Sequence, residues 1–368
     1  MKKIKVLQLF VANAKGGRTQ YMLNNWQHID KTRFQFDFAT LSPSLDFAAQ
    51  LEEEGCKVHY VSCYAEDNLE QFVKEIDQIL KSGYDVVHVH SSFWRSFTVE
   101  ERAKRAGVGK IIIHAHNFGI GSVATQEEAE DLTKKHYALR DKITSDMADY
   151  FLACSKEAAE WMYGNKIDAK KVKILRNGID LQKYKFNEKV RKEVREEFGF
   201  SDKFVIGNVG RFVYQKNHDF LVDIFYEISK RAEDVVLLLI GIGELRNEIE
   251  QKTERLGIKD KVIFLGKRND VDRLMQGMDL FVLPSRFDGF PLSLLEAQAA
   301  GLPCVAGNVP HNASLSERAK IVGLDLELWR DSILQEYSVR KRNLVREDIL
   351  NLHDIKRQVK ELEKIYLE

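Results

Sequence analysis

Short uninterrupted runs of Val, Ile and Leu recur along the chain, separated by longer charged stretches whose apolar residues fall at helical spacing. A strand that is apolar on both faces must be covered on both faces. The repeat of buried strand and amphipathic helix therefore points to βαβ units and parallel sheets. One series of strands is expected at Ile4–Phe10, Phe34–Ala39, Lys57–Val61, Asp85–His90, Lys110–Ala115 and Tyr150–Ala153, with helical stretches such as Leu69–Lys81 and Thr98–Ala106 between them. A second is expected at Phe204–Val209, Val235–Ile240, Val262–Leu265, Leu280–Leu283 and Cys304–Ala306. The heavily charged stretch Asn177–Asp202 opens on Asn-Gly and reads as the interdomain linker. After Asp348, the residues Ile349, Leu352, Ile355, Val359, Leu362 and Ile365 share one helical face that must pack against something. The expected class is α/β, with two Rossmann-like domains facing across a cleft and ligands at the carboxyl ends of the strands.

Composition removes several alternatives. At 368 residues the chain exceeds what one hydrophobic core usually serves, which favours two domains. Lys plus Arg and Asp plus Glu both number 56, so net charge gives no support for a nucleic-acid partner. No uncharged apolar run reaches the roughly 18 residues of a membrane span. The opening MKKIKVLQLFVAN has a positive end but a short apolar stretch and no small-residue cleavage site, so it reads as a first buried strand. Cys56, Cys63, Cys154 and Cys304 lack ligand-like spacing, which argues for a reducing, cytoplasmic setting and against a disulfide frame or a zinc site.

Leu280–Gly301 reads LFVLPSRFDGFPLSLLEAQAAG: a buried strand, a turn carrying Asp288-Gly289-Phe290-Pro291, and a helix from about Leu292 to Ala300. The unpaired N–H groups and positive dipole end of such a helix suit an anion above Gly289–Ser293. Taken alone, Asp288 reads equally as a helix cap and Glu296 as a solvated carboxylate. Ile206–Asn217, IGNVGRFVYQKN, sets Arg211 and Lys216 after another buried strand and a glycine turn, as a diphosphate requires. Gly241-x-Gly243 ends a further strand, and Phe264–Asp270 carries Lys267 and Arg268. Gly16 and Gly17, within Ala14–Arg18, follow the first strand and allow close backbone approach to a bound anion, or a tight turn. His88-x-His90 and His114-x-His116 each place two imidazoles on one strand face. A metal is considered there, but no carboxylate or cysteine joins at ligand spacing, and none is assigned.

In this order, the elements resemble those of the family 4 retaining glycosyltransferases. The Pro-Ser, acid, Gly-Phe-Pro and Glu-Ala pattern of Leu280–Gly301 is similar to that family's donor-binding motif, with Asp288 where the motif has glutamate. The resemblance runs from residue 4 to about residue 308 and implies a GT-B fold, with domains at 1–180 (acceptor) and 181–345 (donor) and a helix at 346–368 crossing back to the first. It implies catalytic roles for His116, Arg211, Lys216 and Asp288, and donor contacts from Gly16, Gly17, Gly243, Arg268, Gly289, Phe290, Leu292 and Glu296. Glu296 would bind the ribose hydroxyls, and His116 with Asn117 would lie beside the transferred sugar. Ile112–Phe118, IIHAHNF, and the stretch after Gly307 are similar to the exopolysaccharide and capsule branch.

The activity implied is transfer of a hexosyl unit, with retention and without metal or other cofactor, from a nucleotide diphosphate sugar such as a UDP-sugar. The acceptor would be a saccharide or lipid-linked saccharide, which implies peripheral association with the inner membrane face. An epimerase of the same fold and a non-catalytic nucleotide-sugar-binding homologue are the alternatives. For the acceptor, Ser91–Phe97 offers Trp94, as a sugar platform or as core, and Arg95. Arg176–Asp180 reads as a structural turn.

Overall fold

The computed structural model describes residues 2–13, 16–121, 123–342 and 345–368. They form two compact units: Met1–Ile120 with Glu130–Gly178 and Ile355–Glu368, and Gly121–Ala129 with Ile179–Asp354.

The first unit holds seven parallel strands: β1 (Ile4–Val11), β2 (Phe34–Thr40), β3 (Val58–Tyr60), β4 (Val86–Ser91), β5 (Lys110–Ala115), β6 (Tyr150–Ala153) and β7 (Val172–Ile174). Their order is β3-β2-β1-β4-β5-β6-β7, so the winding reverses between β1 and β4. Val6 lies opposite Val86 there, and Ile4 opposite Phe34 on the other side of β1. Phe34, Phe36, Phe38 and Trp26 fill the core together with Ile355, Val359, Leu362, Ile365 and Tyr366 of the C-terminal helix Ile355–Leu367. That apolar stripe is what the spacing of the tail requires. The helix end is satisfied by Lys110, whose Nζ donates to the carbonyls of Ile365 at 2.7 Å and Tyr366 at 3.1 Å.

The second unit holds six: β8 (Phe204–Val209), β9 (Val235–Ile240), β10 (Val262–Gly266), β11 (Leu280–Leu283), β12 (Cys304–Ala306) and β13 (Ala319–Ile321). The order β10-β9-β8-β11-β12-β13 reverses between β8 and β11. A separate core collects Ile206, Phe225, Leu237, Leu239, Val282, Val305 and Trp329.

Three features differ from the sequence expectation. β7 and β13 are additional, each the outermost strand of its sheet with Lys173 or Lys320 at its centre, so neither shows an unbroken apolar run. The stretch after Gly178 is no free linker but folds into the second unit. Its helix Glu188–Glu197 is capped by Asn187 and anchored by Arg191 and Arg195 on Asp279, at 2.5 and 3.0 Å. The tail is not one helix: Glu347–Leu350 and a short turn at Asn351–His353 precede Ile355–Leu367. Among the described residues, no helix is long and apolar enough to cross a membrane.

Candidate active site

In an open parallel sheet, the strand ends beside a winding reversal leave a crevice for ligands. In the second unit those ends belong to β8 and β11, and seven of the expected residues lie on the segments that follow them: Arg211, Lys216, Asp288, Gly289, Phe290, Leu292 and Glu296. Gly210 and Arg211 follow β8, and a short turn at Tyr214–Lys216 comes next. From β11 the chain runs through Pro284 and Ser285 to Asp288 and into the helix Leu292–Ala299. Lys216 Nζ lies 2.5 Å from Asp288 Oδ2, and both side chains are largely buried. Asp288 is therefore the partner of Lys216 and not the helix cap: Pro291 occupies the cap position without a side-chain bond. The first N–H groups of that helix have no intrahelical carbonyl to meet, which leaves donors and a positive dipole end beside Gly289, Phe290 and Leu292. Burial lowers the pKa of Arg211, opposed by the charges of Asp288 and Glu244.

Two neutral side chains that the sequence reading missed fix this geometry. Gln215 donates from Nε2 to the carbonyl of Phe287 at 2.9 Å, and its backbone carbonyl accepts from the N–H of Arg286 at 2.8 Å, which joins the cationic loop to the acidic turn. Asn308, in the stretch after Gly307, donates to the carbonyl of Arg286 at 3.1 Å and holds the turn from the other side. Neither carries a sequence signal, since an uncharged amide in a loop fits any solvated turn.

Glu296 is 8% exposed and not the solvated carboxylate that its isolated reading allows. Burial pushes its carboxyl up to about 7, against a hydrogen bond from Tyr184 and the charge of Lys183. Tyr184, on the short helix Leu181–Tyr184, is another partner the sequence did not mark. Gly243 has a packing reason of its own. An added Cβ would sit 2.4 Å from the carbonyl oxygen of Phe212, and at Gly241 one would sit 1.9 Å from that of Gly210. Arg268 does not join the Lys216–Asp288 group. It follows β10 at the sheet edge, with its guanidinium forked onto Asp270 by two bonds of 2.8 Å.

In the first unit, β1 and β4 flank the reversal. Ala14 and Lys15 lie outside the described residues; Gly16 precedes the helix Gly17–His28 as its cap. A Cβ at Gly17 would meet nothing within 4 Å among the described residues. Arg18 donates to the carbonyl of His90 at 3.3 Å. His88, His90, His114 and His116 form one array: His90 stacks on His88 at 4.0 Å, and His116 on His114 at 4.2 Å. Ring nitrogens of His88, His90 and His114 lie within 4.8 Å of one another, a set that a transition metal could in principle use. However, the His88 and His114 planes are 6° apart, and near-parallel rings do not converge their lone pairs on one point. His90 has both nitrogens engaged, by His116 and Gln8. Burial, with Arg18 and the neighbouring histidines, holds the pKa of His116 well below the usual histidine range. It is thus a neutral imidazole at physiological pH.

Trp94 is a core residue and no sugar platform: it is 3% exposed and donates from Nε1 to the carbonyl of Met162 at 2.7 Å. Arg95 pairs with Glu66 and lies 4.5 Å from the ring centre of Tyr64. Gly178 is structural, since a Cβ there would come within 2.8 Å of the Ile355 backbone.

Comparison with known proteins agrees with this layout. Residues 16–178 match the glycosyl transferase 4-like domain, and residues 190–323 the glycosyl transferases group 1. EpsF of Bacillus subtilis, which is named as a glycosyltransferase, is 28% identical over 98% of this chain and 96% of its own. An Escherichia coli UDP-Gal:alpha-D-GlcNAc-diphosphoundecaprenol alpha-1,3-galactosyltransferase is 27% identical over 78% of this chain and 76% of its own. Among solved structures, Anabaena HepE in complex with UDP-glucose superposes with a TM-score of 0.76 at 19% identity, covering 98% of this chain and 99% of that one. With two parallel-sheet Rossmann-like units and both family matches in the expected order, the chain belongs to the group 1, family 4-type glycosyltransferases of GT-B fold.

Proposed function

We propose that this glycosyltransferase moves a hexosyl unit from a UDP-sugar to a saccharide or lipid-linked saccharide, with retention of configuration and without a metal, in surface polysaccharide synthesis. The observation that carries the proposal is the convergence of Arg211, the Lys216–Asp288 pair and the open N-terminus of Leu292–Ala299 at the β8 and β11 ends. A departing nucleoside diphosphate needs its growing charge neutralised, and fixed donors and cations do this with little reorganisation. Arg211, Lys216 and the N–H groups near Leu292 supply that neutralisation. Asp288 holds Lys216 in place, and Glu296 accepts the ribose hydroxyls. His116, neutral, positions the transferred sugar and forms no covalent link. The acceptor hydroxyl passes its proton to a leaving phosphate oxygen as the new glycosidic bond forms on the same face.

UDP in the HepE structure and the UDP-galactose donor and lipid-linked acceptor in the name of the Escherichia coli relative support these choices. A lipid-linked acceptor places the work at the inner membrane face.

Arg211→Ala tests the reading. Transfer should fall about a hundredfold or more while the thermal unfolding profile stays intact. Near-normal turnover would remove Arg211 from the machinery. Transfer that survives a chelator supports metal independence, and the anomeric configuration of the product, read by NMR, decides retention.

A further inference from the structure

Five side chains form one continuous hydrogen-bonded line through the core of the first unit. His116 Nε2 lies 2.8 Å from His90 Nδ1, and His90 Nε2 lies 2.7 Å from Gln8 Oε1. Gln8 Nε2 donates to the Tyr366 hydroxyl at 3.0 Å, and that hydroxyl lies 2.8 Å from His88 Nδ1. Gln8, His88 and His90 are each no more than 2% exposed, so water does not compete for these bonds.

A neutral imidazole has one N–H and one lone pair, while a primary amide has a fixed donor end and a fixed acceptor end. The amide of Gln8 therefore sets the direction of every bond in the line. Its oxygen faces His90, so His90 Nε2 carries the proton. Burial beside the other imidazoles keeps His90 neutral, so it offers only a lone pair at Nδ1, and the proton of the next bond must belong to His116 Nε2. On the other side the amide nitrogen donates to Tyr366, whose own hydrogen is left for His88 Nδ1. His116 is half-buried, and its Nδ1 makes no hydrogen bond among the described residues.

From this line we infer that Gln8 and His90 are positioning residues that lock His116 as the Nε2–H tautomer, so that its Nδ1 meets a donor-sugar hydroxyl as a hydrogen-bond acceptor. The last step rests on the proposed placement of His116 beside the transferred sugar; the lock itself does not. A sugar whose facing hydroxyl cannot donate is then a poor substrate. A ring free to present either nitrogen would give that selectivity up.

The test uses the full chain labelled with 15N-histidine. Two-bond proton–nitrogen spectra report which ring nitrogen is protonated, and His116→Gln identifies the signals of His116 by their loss. The expected result is an Nε2 proton on both His90 and His116. An Nδ1 proton on His116 would mean that the Gln8 amide is turned the other way, which overturns the inference. Gln8→Leu should give mixed tautomers at His116 and lower kcat about tenfold, with donor KM within about twofold. Gln8→Glu keeps an acceptor toward His90 and should recover the tautomer and most of the rate. An unchanged His116 spectrum in Gln8→Leu also overturns the lock. Should Gln8→Leu fail to fold, the wild-type and Gln8→Glu spectra still decide. The spectra need no turnover, so an inactive protein with the expected tautomer counts against the proposed activity and leaves the lock standing.

Discussion

Glu296 carries a consequence for pH that can be measured without any acceptor. Its folded-state pKa of about 7 lies above the ordinary glutamate value of about 4.3, so the folded protein prefers the neutral acid. The contribution to stability is complete below the unfolded value and is lost as pH rises through about 7. Glu296→Gln removes that loss. The melting temperature of the ligand-free variant, relative to wild type, should rise by a few degrees between pH 5 and pH 8. A difference that stays flat over this range would mean that burial does not raise this carboxyl. On the proposed ribose contact, donor binding runs the other way, because an ionised carboxylate is the stronger acceptor for hydroxyls. Wild-type affinity for UDP should tighten as pH rises through about 7, while Glu296→Gln binds about tenfold or more weakly with little pH dependence. Calorimetric titration with UDP at several pH values checks both.

Between elements, the cationic loop is shaped by a neighbouring glycine turn. The N–H of Phe212 donates to the carbonyl of Ile242 at 2.9 Å, and the N–H of Leu245 donates to that of Phe212 at 3.1 Å, so the loop after β8 is laced to the loop after β9. Only a residue without Cβ allows that approach at Gly243, whose φ of +158° is also unfavourable for other residues. Gly243→Ala should cost about 1–3 kcal/mol and displace Arg211, one residue from the clash. The expected readouts are a lower melting temperature and loss of UDP affinity with native circular dichroism. Wild-type affinity in this variant would separate the glycine turn from the site. The central strands were legible in the sequence because covering on both faces leaves an unbroken apolar run, as in Val235–Ile240. β7 and β13 were not, because an edge strand carrying Lys173 or Lys320 resembles a loop. The same distinction applies at the site. Arg211, Lys216, Asp288 and Glu296 stand out through their place in an ordered set of motifs, since each alone reads equally as a cap or as solvated surface. Gln8, Gln215, Asn308 and Tyr184 gain their roles only from partners that folding supplies. For Gln8 that partner is Tyr366, which is 358 positions along the chain.

At the scale of the molecule, the two cores share no residue, and each sheet has its own reversal point. The chain nevertheless passes between the units at Ile120, Ala129, Gly178 and Asp354, so the first unit is completed only by the final helix. Leu362 is 1% exposed in that helix and belongs to the first core. Truncation of a buried leucine to alanine typically costs about 2–5 kcal/mol. Arg211, Lys216, Asp288 and Glu296 all belong to the second unit, while Gly16 and Gly17, also expected at the donor, belong to the first. Leu362→Ala should therefore lower the calorimetric transition of the first unit by several degrees and leave that of the second in place. Affinity for UDP should stay within about twofold of wild type, since RT at 25 °C allows only about 0.4 kcal/mol for such a change. If both transitions move together, the units unfold as one. If UDP affinity falls tenfold at a temperature where both units are folded, the nucleotide depends on the first unit as well, and the donor site is not confined to the β8 and β11 ends.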